Sequence, residues 1–155
     1  MDINIKVDDY RLNIRSSAMI VHNNKVLMHK DNNYNTYHLL GGRVEIGESS
    51  DKTVVREILE ELGKEIELTG YVGTIENFFT YEGSKVHEIM FIHKGEFKSP
   101  EDKSIETTMY NIEGRNELTY EWLDLDETDK YPILPSILKE ILKEKNYPIH
   151  KIYID

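Results

Sequence analysis

The segment that most restricts the folds open to this chain runs from Gly41 to Gly63, where a glycine-punctuated loop feeds one amphipathic helix. Val54, Val55, Ile58, Leu59 and Leu62 recur at helical spacing and predict a helix over 50–63. Ser49, Ser50 and Asp51 supply its N-cap and first-turn acid, and Gly63 can close it in the left-handed conformation. Glu57, Glu60 and Glu61 stand at i, i+3 and i+4, so they share one face, centred roughly 150° from the apolar stripe. Like charges at that spacing destabilise an isolated helix by roughly 0.2–0.5 kcal/mol per pair, and Arg56 offsets only part of this. Such carboxylates suit a hard divalent cation, which takes one or two of them and bridges to substrate phosphates. Alone, a Glu-rich helix is usually a solvated face and a Gly-Gly loop usually a turn.

Around this segment the pattern is mainly strand. Residues 1–15 alternate loosely and predict an edge strand, and Ala18–Val21 and Lys25–Met28 flank an Asn-rich break that reads as a hairpin. Tyr37–Leu40 can form a short strand, 70–80 and 86–97 a second hairpin with Gly83 in its turn, and 107–112 a weaker strand. Leu134, Ile137, Leu138, Ile141 and Leu142 predict a second amphipathic helix with Pro135 in its first turn. The 146–155 tail is expected to pack on the domain or on a second copy, as a homodimer would require.

With 155 residues, 39% hydrophobic and 31% charged, the chain suits one globular domain over 1–155. A net charge of −10 argues against a basic footprint for duplex nucleic acid or an anionic membrane. It is compatible with a phosphorylated small molecule if a bound cation reverses the local sign. The absence of Cys removes disulfides and thiolate chemistry. No signal peptide or membrane span is apparent, so a cytoplasmic location is expected.

Taken together, Gly42, Glu48, Arg56, Glu57, Ile58, Glu60, Glu61 and Gly63 match the pattern G-x5-E-x7-R-E-U-x-E-E-x-G-U at every position but the last. Chance agreement has a probability of about 10⁻⁵. The segment 42–64 therefore resembles the Nudix box of the MutT-like hydrolases. Lys64 departs from it, standing where the pattern has an aliphatic residue. Tyr37-His38-Leu39-Leu40 stands where relatives often carry Trp and Pro before the paired glycines. The resemblance implies an α/β fold, an α/β/α sandwich around a mixed β-sheet. It also implies cleavage of a nucleoside diphosphate linked to another group, with Mg²⁺ or Mn²⁺ and water attack at phosphorus.

Carried over by position, Glu57 and Glu61 look like the principal metal ligands, with Glu60, Glu48 and the Gly42 carbonyl completing the site. Arg56 looks like the residue that orients the helix carboxylates. The base that activates water differs among relatives, so Glu60, Glu76, Glu88 and Glu121 are candidates. Arg43, Tyr37, Phe79 and Tyr81 are the expected substrate contacts, the aromatic rings by stacking on a base. A nucleoside triphosphate or related nucleotide is the leading substrate. Dinucleoside polyphosphates, ADP-ribose or nucleotide sugars, and a non-catalytic nucleotide sensor are the alternatives.

Overall fold

The computed structural model describes residues 1–104 and 108–155. Its strands are β1 (Asn4–Val7), β2 (Tyr10–His22), β3 (Lys25–Asp31), β4 (Thr36–Arg43), β5 (Ile66–Tyr81), β6 (Ser84–Phe97), β7 (Leu118–Asp124) and β8 (Ile149–Ile154). They form one mixed sheet in the order β7-β3-β4-β2-β6-β5-β8, with β1 beside β2. The β2–β6 and β5–β8 ladders are parallel and the others antiparallel. Helix α1 spans Ser50–Leu62 and helix α2 spans Leu138–Lys143.

Three of these ladders fix the shape. β2 pairs with β3, β3 with β4, and β4 with β2, each antiparallel, an arrangement that no flat sheet permits. β4 resolves the conflict by giving Thr36–Leu39 to β3 and Leu40–Arg43 to β2, so the β7-β3-β4 layer turns across the larger β1-β2-β6-β5-β8 layer. The hydroxyl of Tyr34, at the β3–β4 tip, accordingly donates to Glu82 at the β5–β6 tip at 3.0 Å.

Two cores follow. One joins the two layers and α2 through Met19, Met28, Leu39, Ile75, Met90, Ile92, Leu138 and Ile141. The other seats α1 on the sheet through Ala18, Ile20, Leu40, Val54, Ile58, Leu62 and Phe97. The helices thus cover opposite sides of the sheet, as the α/β/α expectation requires.

The β2–β3 hairpin turns on Asn23 and Asn24 with φ of 51° and 60°, where Asn tolerates the left-handed region. The tail forms β8 on the domain itself, parallel to β5. Two expectations fail. Residues 108–112 are irregular, while Thr107 lies outside the described residues. The second helix starts at Leu138 rather than 134, because the Leu134 amide donates to the Tyr37 carbonyl and the chain there runs as a bridge along β4.

Candidate active site

Helix α1 is pinned at both ends. Ser16 Oγ of β2 donates to the Ser50 carbonyl at 2.6 Å, and Ser50 Oγ meets His93 Nε2 of β6 at 2.9 Å. The Ser49 hydroxyl makes no cap bond and serves Asp51 instead. At the far end Gly63 adopts φ 66° and its N–H donates to the Leu59 carbonyl. The Ile112 N–H donates to the Glu61 carbonyl at 2.8 Å. Lys64 turns its departure from the pattern to use, because its Nζ reaches the buried Asp102 carboxylate at 2.6 Å.

Arg56 gathers the carboxylates. Its Nε and Nη2 donate to both oxygens of Glu48 at 2.8 and 2.9 Å, and Nη1 donates to Glu57 at 3.0 Å and Glu60 at 3.1 Å. Nη2 also reaches the Arg43 carbonyl at 3.3 Å, tying the loop to the helix. The guanidinium beside Glu48 holds its carboxyl down at about 2, with help from the Thr53 hydroxyl. The same contacts, Glu48 first, raise the pKa of Arg56 above its already high value.

Glu57 lies directly over the Cα of Gly42, where any side chain would overlap its carboxylate. Burial raises its pKa, and Arg56 partly opposes this. Glu61 does not share a solvated face with Glu60, as the helical wheel suggested. It follows Ile58 by three residues and Val54 by seven, on the flank of the apolar stripe, and is only 6% exposed. Burial pushes its pKa up to about 8, with Glu57 adding repulsion and Arg15 opposing, and its Oε2 is buried without a hydrogen-bond partner. His29 and His38 stack at 5.3 Å and are held neutral by burial, at about 2 and about 4.

Among the described residues, no three or more His, Asp or Glu side chains stand ready to hold a metal ion. Arg56 holds Glu48, Glu57 and Glu60, and of the helix carboxylates Glu57 and Glu61 are the two whose pKa values burial raises. A half-buried acid and a buried one, the latter with an orphaned oxygen, fit a divalent cation that needs one or two carboxylates.

The other expected residues scatter. Glu88 is buried in the centre of the larger layer, where it accepts from Asn13 Nδ2 at 2.5 Å and Asn77 Nδ2 at 3.4 Å and touches none of the box carboxylates. Tyr37 is a core residue, 7% exposed, its ring 5.3 Å from that of Tyr131 and its hydroxyl on Glu121, so it offers no free face for stacking. Strand alternation points it into the inter-layer core. Phe79 is half-buried, and Tyr81 is exposed with its ring 6.1 Å from that of Tyr34. Glu76 pairs with His150 at 2.8 Å. Sequence reasoning missed Arg15. It lies opposite Arg43 on β2, reaches toward the Gly41 carbonyl at 3.5 Å, and is the leading favourable charge acting on Glu61. Nothing in its local pattern marks it, because only the β2–β4 ladder brings it to the box.

The NUDIX domain model matches residues 12–144, and the chain belongs to that family of hydrolases. Among solved structures it is similar to a mutator MutT protein from Bacillus halodurans, at 21% identity and a TM-score of 0.65 over 92% of this chain and 90% of that one. It is also similar to a NUDIX hydrolase from Nitrosomonas europaea, at 15% identity and a TM-score of 0.67 over 92% and 79% of the two chains. An ADP-ribose pyrophosphatase from Streptococcus suis superposes with a TM-score of 0.59 at 15% identity, covering 91% and 98%. At these identities the likeness is one of fold. No curated protein sequence matches the chain.

Proposed function

We propose that this chain hydrolyses the diphosphate bond of a nucleoside diphosphate linked to another group, a nucleoside triphosphate or related nucleotide, with Mg²⁺ or Mn²⁺. The observation that carries the reading is the desolvated pair Glu57, which lies against Gly42, and Glu61, one of whose oxygens is left without a partner. These two residues would hold the cation, together with the Gly42 carbonyl and with Glu48 and Glu60 at the margin. A bound divalent cation supplies charge neutralisation for the diphosphate and acidification of water.

The protein's own groups do the rest. Arg56 fixes Glu57 by a direct hydrogen bond and keeps Glu48 ionised, so the carboxylates are oriented before substrate arrives. Arg15 and Arg43, paired across β2 and β4, are the proposed cationic contacts for an anionic substrate. Glu60, with 45% of its side chain exposed, is the group proposed to take the proton from the attacking water, a role typically worth about 10²–10⁴-fold. The exposed Tyr81 and half-buried Phe79 are the proposed aromatic contacts.

The test is product release from nucleoside triphosphates, nucleotide sugars, ADP-ribose and dinucleoside polyphosphates, with and without Mg²⁺ or Mn²⁺. Metal-dependent cleavage of one class is the expected result and selects among the substrates. Nucleotide binding without cleavage of any would refute catalysis and leave a sensor.

A further inference from the structure

Beyond the box, the larger layer carries a row of buried polar residues, Asn13, Glu88 and Asn77. Asn13 of β2 lies opposite Glu88 of β6, and Glu88 opposite Asn77 of β5. The three therefore stand side by side on one face. They are 8%, 6% and 4% exposed. By strand alternation this is the face of Met19, Met90 and Ile75, the one that looks into the space between the two layers. The apolar inter-layer core ends here, and a carboxylate and two amides take its place. Burying them without ligands is costly, because isolated polar groups lose their hydration.

The hydrogen bonds within the row are directional. Both amide nitrogens donate to Glu88, one to each oxygen. This turns the Oδ1 atoms of Asn13 and Asn77 away from the carboxylate, and both are buried with no partner. Ser17 Oγ, on the same face of β2, is also unpartnered. The row has a surplus of acceptors and calls for a donor. A metal ion does not fit, since it would need the amide oxygens turned toward Glu88, where the nitrogens now are.

Position links the row to the box. Asn13 precedes Arg15 by two residues, about 6–7 Å along β2, and Arg15 faces Arg43 at the start of the box. Phe79, two residues beyond Asn77 on β5, shares the face and borders the row.

We propose that the Asn13–Glu88–Asn77 row selects the substrate's nucleobase by accepting hydrogen bonds from its exocyclic amino group. Guanine, adenine and cytosine nucleotides are then preferred, and uracil, thymine and hypoxanthine nucleotides are discriminated against. This deepens the hydrolase reading and rests on it for the nucleotide character of the ligand. Glu88 contributes as an acceptor and not as the base that activates water.

The experiment compares nucleotide pairs that differ at the amino group, GTP with ITP and CTP with UTP. Dissociation constants are measured with Ca²⁺ in place of Mg²⁺, and kcat/KM separately with Mg²⁺. Binding of GTP and CTP at least about tenfold tighter than their partners is expected, because a site built to pair a donor rejects the analogue lacking it. Glu88→Gln and Asn77→Leu should each narrow that ratio toward one. Should either variant fail to fold, the wild-type ratios alone decide. Equal constants within both pairs, alongside metal-dependent hydrolysis, overturn base selection and leave the hydrolase reading intact. Discrimination in binding without hydrolysis overturns the hydrolase reading and leaves the row's assignment standing.

Discussion

Glu61 gives the sharpest quantitative test, because its burial makes a thermodynamic demand that can be read without any substrate. An ordinary glutamate has a value of 4.5, and the folded chain raises Glu61 to about 8, chiefly by desolvation. The folded state therefore binds a proton more tightly than the unfolded state. Its contribution to stability is fully present below pH 4.5 and is lost as pH rises toward 8. A shift of that size corresponds to a loss of on the order of 4 kcal/mol at pH 8 relative to pH 4.5. For a domain of this length that is about 10 °C in melting temperature.

Thermal melts of metal-free wild type and Glu61→Gln between pH 5 and 8 isolate the effect. His29 and His38, held neutral at about 2 and about 4, remove stability only as pH falls below their ordinary value of 6.5 and do so in both proteins. The wild type should lose stability relative to Glu61→Gln as pH rises, and Mg²⁺ or Mn²⁺ should restore most of it at pH 8 and little at pH 5. Parallel curves for the two proteins, with no pH dependence of the metal effect, would refute the account of Glu61 as a buried acid awaiting a cation.

Four further outcomes are expected. Glu57→Gln and Glu61→Gln should lower turnover by orders of magnitude with the circular dichroism spectrum unchanged; unaltered turnover would remove the proposed metal pair. Gly42→Ala should place a methyl group in the Glu57 carboxylate and reduce kcat by about 10²-fold, since small misplacements at a reacting centre are that costly, with only a small change in melting temperature. Arg56→Leu should release Glu48 from its low value of about 2, so the stability that wild type loses as pH falls from 4.5 toward 2 through this group should no longer appear in acid melts. Lys64→Ile, which restores the family's aliphatic residue, should nevertheless destabilise the chain by about 1–3 kcal/mol in urea denaturation, because it strands the buried Asp102 carboxylate.

The candidate site was legible in the sequence because its residues are local. Glu48, Arg56, Glu57, Glu60 and Glu61 lie within fourteen consecutive residues, 48–61, and helical periodicity alone brings the last four to one region of α1. The two hairpins, the first helix and its Gly63 stop were equally readable, since turn residues and spacing act over a few positions. What periodicity could not supply was the depth of each carboxylate. Glu60 stays exposed and Glu61 is buried although they are neighbours, a difference set by the sheet and the 108–117 loop against which the helix docks.

The rest was decided between distant segments. Tyr37 reads as a polar aromatic near the box but is claimed by the core, because β4 bends there and points it between the layers. Glu88 reads in the sequence as a candidate base for water. It acquires meaning only when β2 and β5 bring Asn13 and Asn77, 75 and 11 residues away in sequence, to its two oxygens. Arg15 joins the site through the β2–β4 ladder, and Lys64 finds Asp102 across the end of the helix. Short-range spacing alone was enough to specify the acidic helix and the family, because both are written within a few turns of chain. The tertiary structure alone decided which of its charges lose water, since burial belongs to surfaces assembled from residues far apart in the chain.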